Sequence, residues 1–157
     1  MGKPSMSLHM PSGPTKLGKA AQDGDLDRAE RAIRAGASVH VKDEDGWSPL
    51  HYACSNGRVA MAEALIEKHG ANVDATDQYG YTPLHHACDG GRIPMAEALI
   101  EKHGANVEAV NERGQTPLEM PCVTQEMKEA VAAAVWRRNS PKKTARDAIF
   151  ALLCCGP

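Results

Sequence analysis

The sequence is poor in aromatic residues and has no strong excess of one charge. Two tryptophans, three tyrosines and one phenylalanine make up 4% of the 157 residues, so small aliphatic side chains must build the core. The formal net charge of −2 gives no sign of a dedicated nucleic-acid binder. A content of 42% hydrophobic and 24% charged residues excludes a compositionally disordered chain and predicts one globular unit.

Long apolar runs are missing as well. The longest, Ala148 to Cys155, is far shorter than the roughly 20 residues of a membrane helix. The first ten residues lack the apolar stretch of a secretory signal, and the five cysteines are an odd number without disulfide-framework spacing. We therefore expect a reduced, cytoplasmic protein.

Charge is distributed unevenly along the chain. Residues 43–110 contain four Lys/Arg and eleven Asp/Glu, a net charge of −7, whereas residues 1–42 (seven and four) and 111–157 (seven and five) are basic. An acidic centre does not suit a phosphate backbone, so we expect no nucleic-acid partner.

An internal repeat dominates the middle of the chain. Gly46, Gly80 and Gly114 recur at one constant interval, and each stands two residues before a Ser/Thr-Pro-Leu triplet. The segment MAEALIEKHGANV occurs at 61–73 and again, letter for letter, at 95–107. Such a period indicates stacked units, because one short unit cannot bury its apolar side alone.

Each unit is predicted to be a loop followed by two helices. Ser48 and Thr82 precede a proline, which is typical of a helix N-cap with proline in the first turn. Gly57 and Gly91 are predicted to end this helix A. A second helix, helix B, follows with a recurrent apolar side.

These units resemble the ankyrin-repeat family. The pattern D-x-x-G-x-[ST]-P-L-H-x-A, followed by a helix and G-A-N-V, occurs as DEDGWSPLHYA at 43–53 and DQYGYTPLHHA at 77–87. The resemblance covers residues 10–138 and implies an all-α solenoid of stacked helix-turn-helix units with hairpin-like loops. It also implies that the helix A histidine, His51 or His85, ties one repeat to the next. His69 and His103 lengthen the period by one residue, at the end of helix B.

The flanking units are degenerate copies. Lys16 and Gly18 replace proline and histidine in the first unit, which predicts a frayed helix A. Glu119 replaces the histidine of the fourth unit, and Pro121 predicts a bent or short helix A there. The resulting division is a flexible N-terminus (1–9), a degenerate first repeat (10–42), two full repeats (43–76 and 77–110), a degenerate capping repeat (111–138), and a linker with an amphipathic tail (139–157).

Neither a catalytic nor a metal-binding motif stands out in the sequence. His51 with Cys54 and His85 with Cys88 have the spacing of zinc ligands on a helix. The same positions belong to the repeat signature, however, and we interpret Cys54, Cys88 and Cys122 as buried core residues. We therefore expect a non-enzymatic protein without a cofactor or metal.

The candidate site is a cluster of aromatic and acidic residues in the two full repeats. By the resemblance, these positions face the concave side of the solenoid, where the fold has no use for large rings. Tyr and Trp are enriched at binding hot spots, and carboxylates around them favour a basic partner segment. The competing interpretation is that Trp47 and Tyr81 pack over the neighbouring loop. The predicted partner-binding residues are Glu44, Asp45, Trp47, Tyr52, Tyr79, Tyr81 and Asp89.

The C-terminal residues leave several functions open. The cluster RRNSPKK at 137–143 is typical of a nuclear import signal and presents Ser140 as a candidate phosphorylation site. The segment TARDAIFALL at 144–153 predicts a short amphipathic helix that either packs on the last repeat or is an adhesive tail. Cys154 and Cys155 resemble a lipidation signal, although the final Gly-Pro fits that pattern poorly.

We therefore expect a monomeric protein-protein interaction module, an adaptor or inhibitor that binds a basic segment through the concave face of repeats 2 and 3. The alternative is a membrane-associated regulatory subunit lipidated at Cys154 or Cys155. Cytoplasmic localisation is expected, and nuclear localisation as well if the basic cluster is an import signal.

Overall fold

A computed structural model describes residues 14–140 of the chain. The described residues form seven α-helices and no β-strand: α1 (Lys16–Asp23), α2 (Leu26–Arg34), α3 (Pro49–Ser55), α4 (Val59–Glu63), α5 (Pro83–Asp89), α6 (Ile93–Glu101) and α7 (Gln125–Asn139). Helix α4 continues into a π-helical turn at Ala64–Lys68. Helices α1, α3 and α5 pack side by side as one layer, and α4, α6 and α7 form the other. The predicted all-α solenoid is confirmed.

The predicted caps begin helix A in both full repeats. Ser48 and Thr82 have extended backbones, with ψ of 165° in each, and the prolines after them take the first helical turn. Proline costs nothing there, because the first N–H groups of a helix have no partner within it.

The helix A histidines join neighbouring repeats, as the family resemblance implied. His51 Nδ1 accepts the backbone N–H of Ser48 (3.1 Å), so the proton lies on Nε2, which donates to the carbonyl of Tyr81 (3.2 Å). His85 makes the same bonds with its own N-cap (3.1 Å) and with the carbonyl of Gln115 (3.1 Å). Burial lowers the pKa of His51 to about 4 and also lowers the pKa of His85, so both rings are neutral at pH 7.

Small aliphatic side chains fill the space between the two helix layers, as the shortage of aromatic residues predicts. Equivalent leucines of the first three repeats are almost completely buried, each about 1% exposed, and alanines lie beside them: Leu17, Leu50, Leu84, Ala20, Ala53 and Ala87. The close approach of neighbouring helices depends on these small residues.

Acidic residues of one helix B contact basic side chains of the next along the outer layer. The pairs are Glu30 with His69 (3.1 Å), Glu63 with Lys102 (2.5 Å), and Glu97 with Arg137 (2.9 Å). His69, the residue that lengthens the repeat, directly follows the π-helical turn. The longer period is therefore accommodated by a wider turn at the end of helix B in the second repeat, and it places an imidazole in the inter-repeat contacts.

The first repeat is better formed than its sequence predicts. Helix α1 has eight residues, Thr15 Oγ1 accepts the N–H of Gly18 (3.0 Å), and the helix ends at Gly24 with φ of 79°. The prediction of a frayed helix is therefore wrong, because the threonine cap replaces the proline and histidine. Gly18 also accommodates the next repeat, since a Cβ there would lie 3.1 Å from the ring of Tyr52.

The fourth repeat has turns instead of a helix A. The carboxylate of Glu119 still accepts the backbone N–H and the hydroxyl of Thr116 (2.9 Å each). Residues 117–122 nevertheless form turns. Pro121 lacks the N–H that a helix needs, so the effect is stronger than the predicted bend. Cys122 is exposed as a consequence, and the prediction that it is buried is wrong. Helix α7 then begins after the predicted cap Thr124.

Candidate functional site: the fingertip loops of repeats 2 and 3

One carboxylate holds the tip of the loop that begins repeat 2 and another holds the tip of the loop that begins repeat 3. Asp77 Oδ1 accepts the backbone N–H groups of Tyr79 and Tyr81, both at 2.9 Å. Asp43 Oδ1 holds the N–H of Trp47 in the same way, at 2.8 Å. These local hydrogen bonds fix the direction in which the aromatic side chains leave the loop.

We call the two loop tips, residues 43–47 and 77–81, the fingertips. They stack closely on each other. The backbone N–H of Gln78 donates to the carbonyl of Asp45 (3.3 Å), and the side-chain amide of Gln78 donates to the carboxylate of Asp45 (3.3 Å). Gly46 has φ of 78°, and a Cβ there would lie 2.5 Å from the backbone nitrogen of Gln78. The glycine of the repeat signature is therefore required both by its backbone conformation and by this contact.

Four rings, which we name the ring cluster, meet across the boundary between repeats 2 and 3: Trp47, Tyr52, Tyr81 and His86. The ring centroid of Trp47 lies 4.2 Å from that of His86 and 5.0 Å from that of Tyr52, and Tyr81 lies 5.6 Å from His86. All four side chains are partly buried. The expectation that the fold has no use for Trp47 and Tyr81 is therefore wrong, since both contribute to packing between repeats.

His86 lies at the centre of the ring cluster and is not among the residues predicted from the sequence. The sequence does contain a signal for it, because His86 takes the position that the candidate Tyr52 has in the previous copy. Its neighbour His85 belongs to the repeat signature, and the pair His85-His86 is easily interpreted as that signature alone.

Two carboxylates orient the ring cluster through hydrogen bonds at equivalent positions. Asp77 Oδ2 lies 3.0 Å from Nε2 of His86, and Asp43 Oδ2 accepts the hydroxyl of Tyr52. Burial raises the pKa of Asp77, but the hydrogen bonds from His86 and the fingertip N–H groups outweigh it, so the net pKa is lowered and the carboxylate stays ionised. Burial, together with the hydrogen bond to Asp43, raises the pKa of Tyr52, so its hydroxyl remains a donor.

Tyr79 is the aromatic residue that remains available at the surface of the fingertips. Its side chain is 54% exposed, although Asp77 holds its backbone. It lines a small cavity of about 170 Å³ together with Tyr81, Glu112 and Arg113. A fully formed loop thus presents an exposed ring beside a shallow pocket of mixed charge.

The remaining predicted residues lie in different parts of the chain. Glu44 is exposed and Asp45 is partly buried at the same fingertip, next to the ring cluster. Asp89 lies at the far end of α5, where its hydrogen bond to Cys122 raises the pKa of that thiol. Ser140 follows α7, and its backbone N–H donates to the carbonyl of Trp136 (2.9 Å). Cys154 and Cys155 lie outside the described residues.

The histidine and cysteine pairs are occupied by structural contacts. Both nitrogens of His51 and of His85 have hydrogen-bond partners, and burial raises the pKa of the Cys54 and Cys88 thiols. Across residues 14–140, His, Cys, Asp and Glu side chains nowhere form a group of three that could hold a metal ion. Within that range, too, none of the helices is both long and apolar enough to span a membrane.

Comparison with known families agrees with this geometry. A family model described as ankyrin repeats (3 copies) matches residues 17–111 and 71–138, which together cover most of the chain. The chain belongs to the ankyrin-repeat family.

Several curated relatives are similar to part of this ankyrin-repeat protein. Human protein phosphatase 1 regulatory subunit 27 is 41% identical over 64 residues, covering 41% of this chain and 42% of the relative. Mouse protein phosphatase 1 regulatory subunit 12A is 39% identical over 59 residues, which are 38% of this chain and 6% of the relative. The Notch-regulated ankyrin repeat-containing protein of Xenopus tropicalis is 34% identical over 58 residues, covering 37% and 51% respectively. The matched regions therefore span about half of these relatives or less.

Proposed function

We propose that this protein is a non-enzymatic adaptor or inhibitor that binds a basic segment of another protein at its fingertips. The fingertip surface is defined by Glu44, Asp45, Tyr79 and Tyr81. The observation that carries the proposal is the 54% exposure of Tyr79 on a loop whose backbone is held by a buried carboxylate. A rigidly presented tyrosine loses little conformational freedom on binding, which is a property of interface hot spots.

The ring cluster stabilises the arrangement of the fingertip surface. Trp47 and Tyr81 pack on His86, so the loops of repeats 2 and 3 are held at a constant separation. In this proposal Tyr79 supplies the central contact, and the partly buried rings of Trp47 and Tyr52 supply the surrounding area. The role of Trp47 is then shared between packing and binding.

Charge around the ring cluster favours a basic partner. Glu44 and Asp45 are carboxylates at the rim, and residues 43–110 have a net charge of −7 (four Lys/Arg, eleven Asp/Glu). Complementary charges mainly accelerate association and select the partner, while the aromatic contacts determine the lifetime of the complex. A Lys- or Arg-containing segment beside Tyr79 would satisfy both requirements, including a cation–π contact.

The names of two relatives suggest a first partner to examine. Both are regulatory subunits of protein phosphatase 1, and each shares about 40% identity with part of this chain, at 41% and 39%. We therefore propose protein phosphatase 1 as the first candidate, followed by proteins recovered from cell extract.

The test compares Tyr79→Ala with Leu26→Ala in a binding titration against that partner. Leu26 is the matched control, because its side chain is 40% exposed and it lies in the first repeat. Tyr79→Ala is expected to weaken binding by about 2 kcal/mol, roughly thirtyfold, without changing the urea midpoint, whereas Leu26→Ala leaves both unchanged. Wild-type affinity in Tyr79→Ala for every recovered partner would place the contact surface elsewhere.

A further inference from the structure

An apolar groove lies at the C-terminal end of the stack. It has a volume of about 580 Å³ and is lined mainly by Val107, Leu118, Val135 and Trp136. Trp136 is 52% exposed although its ring belongs to this apolar lining. Large apolar side chains at the open end of a solenoid require a cover, because repeat stacking leaves the last unit without a neighbour.

The groove lies beside the fourth repeat, which has turns in place of helix A. In the first three repeats, helix A packs against helix B of its own repeat, as α5 does against α6. Residues 117–122 form turns, α7 packs on α6, and Val135 and Trp136 of α7 line the groove. The groove therefore has the apolar character of a helix-binding site.

We propose that residues 144–153 of the same chain occupy this groove. Asn139 and Ser140 belong to its lining, so the chain leaves the last helix at the edge of the groove itself. Only residues 141–143 separate Ser140 from the segment, a distance of about 10 Å when extended. A segment this close has a high effective concentration, which favours it over any occupant in solution.

The sequence of the segment suits the apolar lining of the groove. The apolar side chains predicted to share one side are Ile149, Phe150, Leu152 and Leu153, and Ala151 falls on the opposite side. Glu108 at the groove is opposite in sign to Lys143 and Arg146, which flank the apolar side chains.

The experiment uses Trp136 as a reporter in the full chain. The protein has two tryptophans, so Trp47→Phe leaves Trp136 as the single tryptophan, which is excited at wavelengths where tyrosine does not absorb. Acrylamide quenching of Trp136 is measured with the unaltered segment and with Phe150→Asp. We expect at least about twofold stronger quenching in Phe150→Asp, because Trp136 is 52% exposed when the groove is open. Ala151→Asp, which adds the same charge on the opposite side, is the matched control and should leave the quenching unchanged.

The outcomes distinguish residues 144–153 of the same chain from a second copy of the protein as the occupant of the groove. Protection of Trp136 from acrylamide that is independent of protein concentration, with a monomer mass in light scattering, supports docking within one chain. If the protein has a dimer mass and the protection of Trp136 disappears on dilution, a second copy fills the groove. That result would overturn the proposal. Equal quenching with and without Phe150→Asp would also overturn it. Phe150→Ala, which introduces no charge, should raise the quenching in the same direction and guards against a general effect of the aspartate.

Discussion

The neutral histidine at the boundary between repeats 2 and 3 predicts a loss of stability in mild acid. His51 accepts a backbone N–H through Nδ1 and donates to the Tyr81 carbonyl through Nε2, so the folded protein has no place for a second ring proton. Burial, reinforced by the nearby His86, lowers the pKa of His51 from 6.5 to about 4. The unfolded chain therefore binds this proton at a higher pH than the folded protein does.

The magnitude follows from linkage between protonation and folding. Stabilisation by the neutral ring is fully present above pH 6.5 and is lost as the pH falls toward about 4. With these two pKa values, the free energy of unfolding should decrease by about 2 kcal/mol between pH 7 and pH 5. His85, whose pKa is also lowered by burial, adds to the loss in the same direction. Most carboxylates remain ionised above pH 5, so this interval isolates the histidines.

The assay is urea unfolding followed by circular dichroism at pH 7, 6 and 5. His51→Gln removes the titrating group, so its free energy of unfolding should fall less over this interval than that of the wild type, by about 2 kcal/mol. His40→Gln is the matched control, because it makes the same replacement at an exposed histidine. Equal pH dependence in the wild type and His51→Gln would refute the assignment of His51 as a buried, neutral bridge.

Two further predictions test the packing. Leu84→Ala should lower the free energy of unfolding by roughly 2–5 kcal/mol, because Leu84 is 1% exposed between stacked helices, while Leu118→Ala in the fourth repeat should cost less than half as much. A loss below about 1 kcal/mol for Leu84→Ala in urea titration would contradict the stacking. Exposed Cys122 should be labelled by a maleimide in the native protein, whereas buried Cys54 and Cys88 should be labelled only after unfolding, as peptide mass spectrometry would show. Native labelling of Cys54 as fast as that of Cys122 would show that the core is open.

The architecture was predictable because its signals are local and repeated. Pro49 and Pro83 start α3 and α5 where the N-cap pattern places them, and each helix is short enough to be determined by its own residues. The fourth repeat was less predictable. Pro121 pointed to a distortion, but the complete loss of helix A depends on the balance between one proline and the packing of the few residues around it. The exposure of Cys122 followed from that balance.

The site was predicted in composition but not in arrangement. The aromatic and acidic residues of the fingertips were identified from positions that the repeat signature leaves variable. Their contacts were not, because the ring of Trp47 meets that of His86 in the next repeat, and such a contact depends on side-chain rotamers in both repeats. A repeated sequence pattern shows which positions are equivalent, but not which of them touch.

The location of the exposed tyrosine follows from how this boundary is built. The boundary between repeats 2 and 3 is held by the His51 bridge and by the ring cluster, two independent sets of contacts between the same repeats. In a solenoid, stability is the sum of the intrinsic stabilities of the repeats and of the contacts between neighbours. The ring cluster therefore adds to the stabilisation that the His51 hydrogen bond gives this boundary. Tyr79 projects from the loop that both sets of contacts hold. Because ordering of a binding loop reduces affinity, a tyrosine on a loop that is already ordered is the most effective place for a binding contact.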